Sequence, residues 1–198
     1  MKLVTMDIIV KENINYYPEF ISKDNRIKIF DLIYDQIKSV LIQHTIQVWG
    51  KEVKEPRFGA FFSIGGIDGY TYSKRKRPTS DITKFSTLYA LMKDVSKKLK
   101  VEFNSCLVNW YRDGEDYIGE HSDDEKDLKS CHIASISLGS ERDFVIRSKK
   151  DRTNRVVLPL LSGSLLHMYG DCQKNYTHGV PKRKKVKSPR MNITFRVV

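Results

Sequence analysis

The stretch 190-RMNITFRVV-198 alternates polar and apolar side chains, with Arg190, Asn192, Thr194 and Arg196 set against Met191, Ile193, Phe195 and Val197. A period of two sends alternate side chains to opposite faces of an extended strand. One face then carries two arginines, an asparagine and a threonine. On a surface, such a face is merely solvated, which is the commoner case. Inside a closed β architecture, its planar guanidinium groups suit the carboxylates of a small dianion. The rest of the chain has to decide between the two.

Working back from that strand, residues 101–198 read as a succession of strand-like runs: "VEFNSCLVNWY", "HIASISL", "DFVIR", "VVLPLL" and "SLLHMY". Turn chemistry separates them, with "DG" at 113–114 and "SG" at 162–163, so antiparallel packing into a two-sheet jelly roll is expected. The first half reads differently. A helix is expected over about 23–43, capped by Ser22, with Ile27, Phe30, Ile33, Tyr34, Ile37, Val40 and Leu41 at helical spacing. A second is expected over about 84–99, through Phe85, Leu88, Leu91, Met92, Val95 and Leu99. Between them, glycines at 50, 65, 66 and 69 punctuate short aromatic strands and signal hairpins. The expected class is therefore mostly β with flanking helices.

At 198 residues and 40% hydrophobic content, the chain can bury one substantial core, so a single domain over 1–198 is expected. The formal net charge of +11 is concentrated in "KRKR" (74–77), "KKDRTNR" (149–155) and "PKRKKVKSPR" (181–190), which points to a polyanion, with nucleic acid as the leading candidate. Three cysteines without a C-x-x-C pair suit a reducing compartment and provide neither a disulfide framework nor a zinc ribbon. No apolar run approaches membrane-spanning length. An intracellular protein, nuclear or cytoplasmic and not secreted, is expected, with no membrane partner and a monomeric state.

The stretch 118-IGEHSDDE-125 is an acidic knot in this basic chain. His121 and Asp123 stand two apart, so in an extended segment both side chains leave from one face and can converge on one ion. A second histidine from a distant strand would complete the two-histidine, one-carboxylate facial triad that binds Fe(II) and leaves positions open for a cosubstrate and O2. His44 and His132 suit capping or satisfied core roles, while His167 in "SLLHMYG" and His178 in "NYTHGVPKRKK" both remain candidates, with His178 favoured. Asn109 and Tyr111 in "NWY" are again two apart on a strand, and can donate hydrogen bonds to the same ligand as the arginines.

Taken together and in order, "NWYRDGEDYIGEHSDDE", "IASISLG", "THGVPKRKK" and "PRMNITFR" resemble the AlkB family of Fe(II)/2-oxoglutarate dioxygenases, most nearly the animal homologues that repair double-stranded DNA. The resemblance runs over most of residues 48–198. It implies a double-stranded β-helix (jelly-roll) catalytic core over 101–198 and a nucleotide-recognition extension of helices and hairpins over 1–100. It also implies His121, Asp123 and His178 as ligands of Fe(II), with Asn109, Tyr111, Arg190, Thr194 and Arg196 holding 2-oxoglutarate. The implied reaction uses O2 and 2-oxoglutarate to oxidise an N-methyl group, which leaves as formaldehyde alongside succinate and CO2.

For a duplex substrate the damaged base must leave the stack. The resemblance implies Trp49, with Gly50 and Lys51, as the finger that fills the vacancy, although these relatives more often carry phenylalanine at that position. It also implies Tyr70, Thr71 and Tyr72, with Asp124 and Glu125, as contacts to the flipped base, and Arg57 as a support of the lesion site. Tyr72 likewise replaces a more usual phenylalanine. The expected substrate is alkylated DNA bearing 1-methyladenine or 3-methylcytosine, with the duplex favoured over the single strand. An RNA or mixed RNA/DNA demethylase is the alternative, because pocket residues do not report the sugar. A noncatalytic nucleic-acid binder is the third possibility.

Overall fold

The computed structural model describes residues 13–48, 50–66, 71–72, 75–76 and 78–198. In chain order the elements are β1 (Ile14–Tyr17), α1 (Lys23–Ile37), β2 (Thr45–Val48), β3 (Lys51–Lys54), β4 (Phe58–Ser63), β5 (Thr71–Tyr72), β6 (Arg75–Lys76), β7 (Thr79–Asp81) and α2 (Ser86–Leu99). Then follow β8 (Ser105–Tyr111), β9 (Ile118–His121), β10 (Ile133–Gly139), β11 (Arg142–Ser148), β12 (Arg155–Leu160), β13 (Ser164–Met168), α3 (Cys172–Asn175), β14 (Tyr176–Val180) and β15 (Arg190–Arg196). A seven-stranded sheet in the order β1-β13-β10-β15-β8-β4-β7 faces a four-stranded sheet in the order β12-β11-β14-β9. This is the jelly roll that the strand runs foreshadow.

Every residue of β15 is buried. The strand sits inside the larger sheet, between β10 and β8, with Ser137 opposite Asn192 and Asn109 opposite Asn192 on the two sides. Its apolar face, Met191, Ile193 and Phe195, packs beneath α1 and α2 against Ile33, Ile37, Leu88, Met92 and Val95. Each such side chain, fully withdrawn from water, contributes about 1.5–3 kcal/mol relative to exposure. The polar face turns into the space between the sheets, where Phe144, Leu160, Met168 and Val180 form a second core. Burial on both faces is why β4, β8, β10 and β13 read as nearly continuous apolar runs.

Two helical expectations need correction. α1 stops at Ile37 rather than near 43, because Ile42 is drawn onto β4, exchanging backbone bonds of 3.0 and 2.9 Å with Gly59. Ile27, placed on the buried stripe by spacing, is 71% exposed; the stripe that docks on the sheet is narrower and centres on Ile33 and Ile37. Ser22 does occupy the N-cap of α1, but its side chain makes no capping bond. The expected hairpin forms from β2 and β3, with Val48 opposite Lys51 and Gly50 at φ 77° in the turn.

Candidate active site

The register of the smaller sheet builds the centre. β9 and β14 run antiparallel with His121 directly opposite His178, and the ladder shifts just beyond, between His178 and Val180. Gly179 permits that close approach: a Cβ there would meet the backbone of Gly119 at 3.0 Å. Asp123 follows β9 by two residues and turns back between the histidines. Its carboxylate lies 3.8 Å from His121 Nε2 and 3.6 Å from His178 Nε2. One ligand atom from each of the three lies within 4.8 Å of the others, the spacing of a two-histidine, one-carboxylate metal set.

The surroundings orient each group. The Gly119 carbonyl accepts from His121 Nδ1 at 2.9 Å, which leaves Nε2 with its lone pair towards Asp123. Burial, reinforced by His178, pushes the His121 imidazole down to about 4, against the opposing pull of Asp123. Near neutrality it therefore offers a lone pair rather than a proton. The His178 ring stacks on Phe144 with centroids 5.1 Å apart. Burial alone would raise the Asp123 carboxyl, but Arg196 and the two histidines outweigh it and hold the group well below the usual carboxylate range. Arg196 donates to Asp123 at 2.5 Å and to Glu125 at 3.3 Å, and Gln173 Oε1 accepts the Asp123 backbone N–H at 2.9 Å.

The triad opens into a cavity of about 460 Å³, counting its mouth, that is also lined by Asn109, Tyr111, Arg190, Asn192, Thr194 and Arg196. Arg190 is 1% exposed and donates from Nη2 to Ser137 Oγ at 2.9 Å, while its Nε and Nη1 have no hydrogen-bond partner among the described residues. A buried cation with unused donors facing a cavity is a costly arrangement unless an acidic ligand completes it. Tyr111 lies under this guanidinium, 5.1 Å from ring centre to carbon. The chemistry of the donors thus fits both a divalent metal and a small carboxylate.

The structure therefore gathers His121, Asp123, His178, Asn109, Tyr111, Arg190, Thr194 and Arg196 into one site. It uses the two arginines differently: Arg190 keeps donors open, whereas Arg196 is invested in Asp123 and Glu125. Arg57, expected to support the lesion site, is buried at 6% exposure, giving Nε to Asn109 Oδ1 and Nη2 to Glu55, both at 2.9 Å. Asp124 is exposed beside the triad. Gly50, Lys51 and the backbone of Thr71 and Tyr72 belong to the β2–β3 and β5–β6 hairpins, whereas Trp49 and Tyr70 fall outside the described residues. His167 is elsewhere, with Nε2 2.9 Å from His132 Nδ1.

Sequence reasoning passed over several residues of this site. Gln173, Glu55, Ser135, Ser137 and Phe144 each carry or line part of it, and none has a local signal beyond residue type. Arg142 is a further one. Completely buried, it donates to the carbonyls of Asp113, Asp116 and Pro181 and so ties the loop before β9 to the chain after β14. In the basic run, Lys182 meets Glu115 at 3.3 Å and Arg183 lies 3.7 Å from Glu141 and 3.6 Å from Asp143, while Lys184 and Lys185 are exposed.

Known proteins resemble this chain in sequence and in fold. The model of the 2OG-Fe(II) oxygenase superfamily matches residues 13–196. The human DNA oxidative demethylase ALKBH2 is 40% identical over 161 residues, covering 77% of this chain and 60% of that protein. Its Arabidopsis thaliana counterpart is 34% identical over 178 residues, covering 78% and 57%. The mouse alpha-ketoglutarate-dependent dioxygenase alkB homolog 3 is 39% identical over 153 residues, covering 73% and 52%. The chain thus spans less than two thirds of the length of these relatives. The solved structure of OsALKBH1 superposes with a TM-score of 0.64 at 19% identity, covering 96% of this chain and all of that one, a likeness of fold.

Proposed function

Because the chain belongs to the 2OG-Fe(II) oxygenase superfamily, and within it to the AlkB family, we propose that it removes N-linked methyl groups from bases of alkylated DNA by oxidative demethylation. The observation that carries this reading is one cavity holding both a His/Asp/His cluster and a buried arginine with unused donors. The family's cofactors are Fe(II) and 2-oxoglutarate, with O2 as cosubstrate. His121, Asp123 and His178 would hold the iron, and Arg190, with Tyr111 and Asn109, the 2-oxoglutarate. When bound, the pair supplies oxidation of the N-methyl group, with formaldehyde, succinate and CO2 as products.

The residues of the chain have defined tasks in that scheme. His121 stays neutral and directed through its bond to Gly119, and Asp123 stays ionised beside Arg196. Arg57 accounts for the carbonyl oxygen of the Asn109 amide, which turns the amide nitrogen towards the pocket. The β2–β3 hairpin and the run 182–185 are the proposed contacts to a DNA duplex, with Trp49, from its place in the sequence, as the residue to fill the space of an extruded base and the lysines meeting phosphates. Cys106 and Cys172 are buried and outside any disulfide, which accords with an intracellular setting, in nucleus or cytoplasm.

A panel of oligonucleotides carrying 1-methyladenine or 3-methylcytosine in duplex DNA, single-stranded DNA and RNA tests the reading. Loss of the methyl group on DNA, dependent on Fe(II) and 2-oxoglutarate, is expected, with the duplex preferred. Turnover confined to RNA would move the substrate to the alternative class, and binding without turnover on any substrate would overturn the enzymatic reading.

A further inference from the structure

The metal cluster is held from outside by one residue that no motif announces. Asp123 sits in the loop after β9, where its backbone N–H is buried and needs an acceptor. That acceptor is the side chain of Gln173, 50 positions along the chain, at 2.9 Å. Gln173 is itself buried, and its amide nitrogen approaches Met168 Sδ at 3.5 Å, which leaves Oε1 as the atom turned to Asp123. The four-residue α3 that carries it is too short to be stable alone. Tertiary contacts hold it: Cys172 is buried in the inner core, and Lys149, the residue just after β11, binds the turn, with Nζ on the Gln173 carbonyl at 2.9 Å and its backbone N–H on the Asn175 carbonyl at 2.8 Å. Five residues after Gln173 comes His178. One short segment therefore supplies a cluster histidine and clamps the loop of the cluster carboxylate.

We propose that Gln173 is a positioning residue for the metal centre, fixing the Asp123 loop so that the carboxylate stays aligned with His121 and His178. The proposal rests on those three residues being the metal ligands. Hydrogen-bond partners just behind a ligand set its orientation, and their loss lowers metal affinity about 10–100-fold. Gln173 is not one of the three residues that would hold the metal; it acts through the backbone of Asp123. A glutamate at 173 keeps an acceptor at the same reach, whereas leucine offers none and asparagine falls one methylene short.

The test is Co2+ binding to the metal-free protein, followed by calorimetry and by the visible spectrum of the bound ion, with melting temperatures of the same samples. Gln173→Leu and Gln173→Asn should weaken Co2+ binding roughly 10–100-fold and alter the spectrum, while Gln173→Glu should bind at least as tightly as the original. Folded Leu and Asn variants that bind Co2+ unchanged would overturn the proposal, and so would a loss of affinity that the Glu variant shares. The His178→Ala protein separates the two levels. If it binds Co2+ as well as the unaltered chain does, the ligand assignment itself fails; if it does not bind while the Gln173 variants bind normally, only the role of Gln173 fails.

Discussion

His178 lies directly across the β9–β14 ladder from His121, and the two rings meet edge to face with centroids 4.5 Å apart. A sheet register, rather than a loop, therefore sets the spacing of the nitrogens around Asp123. Sites built on regular elements hold their geometry before any ligand arrives, which is what a metal set with open positions requires.

Substitution of the cluster should separate binding from folding. His121→Ala and His178→Ala are expected to lose Co2+ binding and turnover while melting near the temperature of the unaltered protein. Asp123→Ala is expected to lose the same functions and, by stranding the buried Arg196, about 3–5 kcal/mol of stability as well. His167→Ala should keep turnover. Full turnover in His178→Ala with loss in His167→Ala would reverse the assignment.

The two arginines of β15 should respond in opposite ways. Arg190 has donors without partners among the described residues, so Arg190→Met should abolish 2-oxoglutarate binding yet stabilise the unliganded protein by about 1 kcal/mol or more. Arg196 holds Asp123 and Glu125, so Arg196→Met should destabilise it by about 3–5 kcal/mol. Urea midpoints and titration calorimetry with 2-oxoglutarate check both. Equal destabilisation by the two changes would contradict the difference in their surroundings.

These contrasts also mark what the sequence makes legible. The alternation in 190–196 announces a strand with a polar face, and His121 with Asp123 announces a convergent pair, because both are local spacings that the backbone converts directly into direction. The choice of His178 over His167 is not local: it depends on which strand lies beside β9, so spacing leans only slightly towards His178 and the resemblance to a known family does most of the narrowing. Ile27 misleads because helical spacing records an apolar stripe but not how much of it the sheet covers. Gln173 and Arg142 are illegible for the same reason, since their partners lie tens of residues away and common residue types carry no mark of them.

On a DNA duplex, the basic run should act unevenly. Lys184→Ala and Lys185→Ala should each reduce the slope of log affinity against log salt by about 0.9, the value for one phosphate contact on B-DNA. Lys182→Ala and Arg183→Ala should change it less, because Glu115, Glu141 and Asp143 already compete for those charges. Affinity measured across a salt series decides; four equal slopes would contradict the role of the carboxylates.

Stability should fall on mild acidification partly through His167. Burial, followed by the neighbouring His132, lowers it from its ordinary 6.5 to about 4. Between those values the unfolded chain takes up a proton that the folded one refuses, so stability is fully present above pH 6.5 and is lost as the pH falls through 4. Chemical denaturation at pH 7 and pH 5 should show a smaller loss for His167→Gln than for the unaltered protein. An identical loss would mean that His167 titrates normally when folded.

The central claim is tested most directly by mass spectrometry of a duplex oligonucleotide bearing a single 1-methyladenine, incubated with the protein, Fe(II), 2-oxoglutarate and O2. The predicted result is an unmethylated adenine, with one formaldehyde and one succinate formed per base restored, and no conversion by His178→Ala. A methylated base left intact by folded, metal-loaded protein, or conversion that persists in His178→Ala, would contradict it.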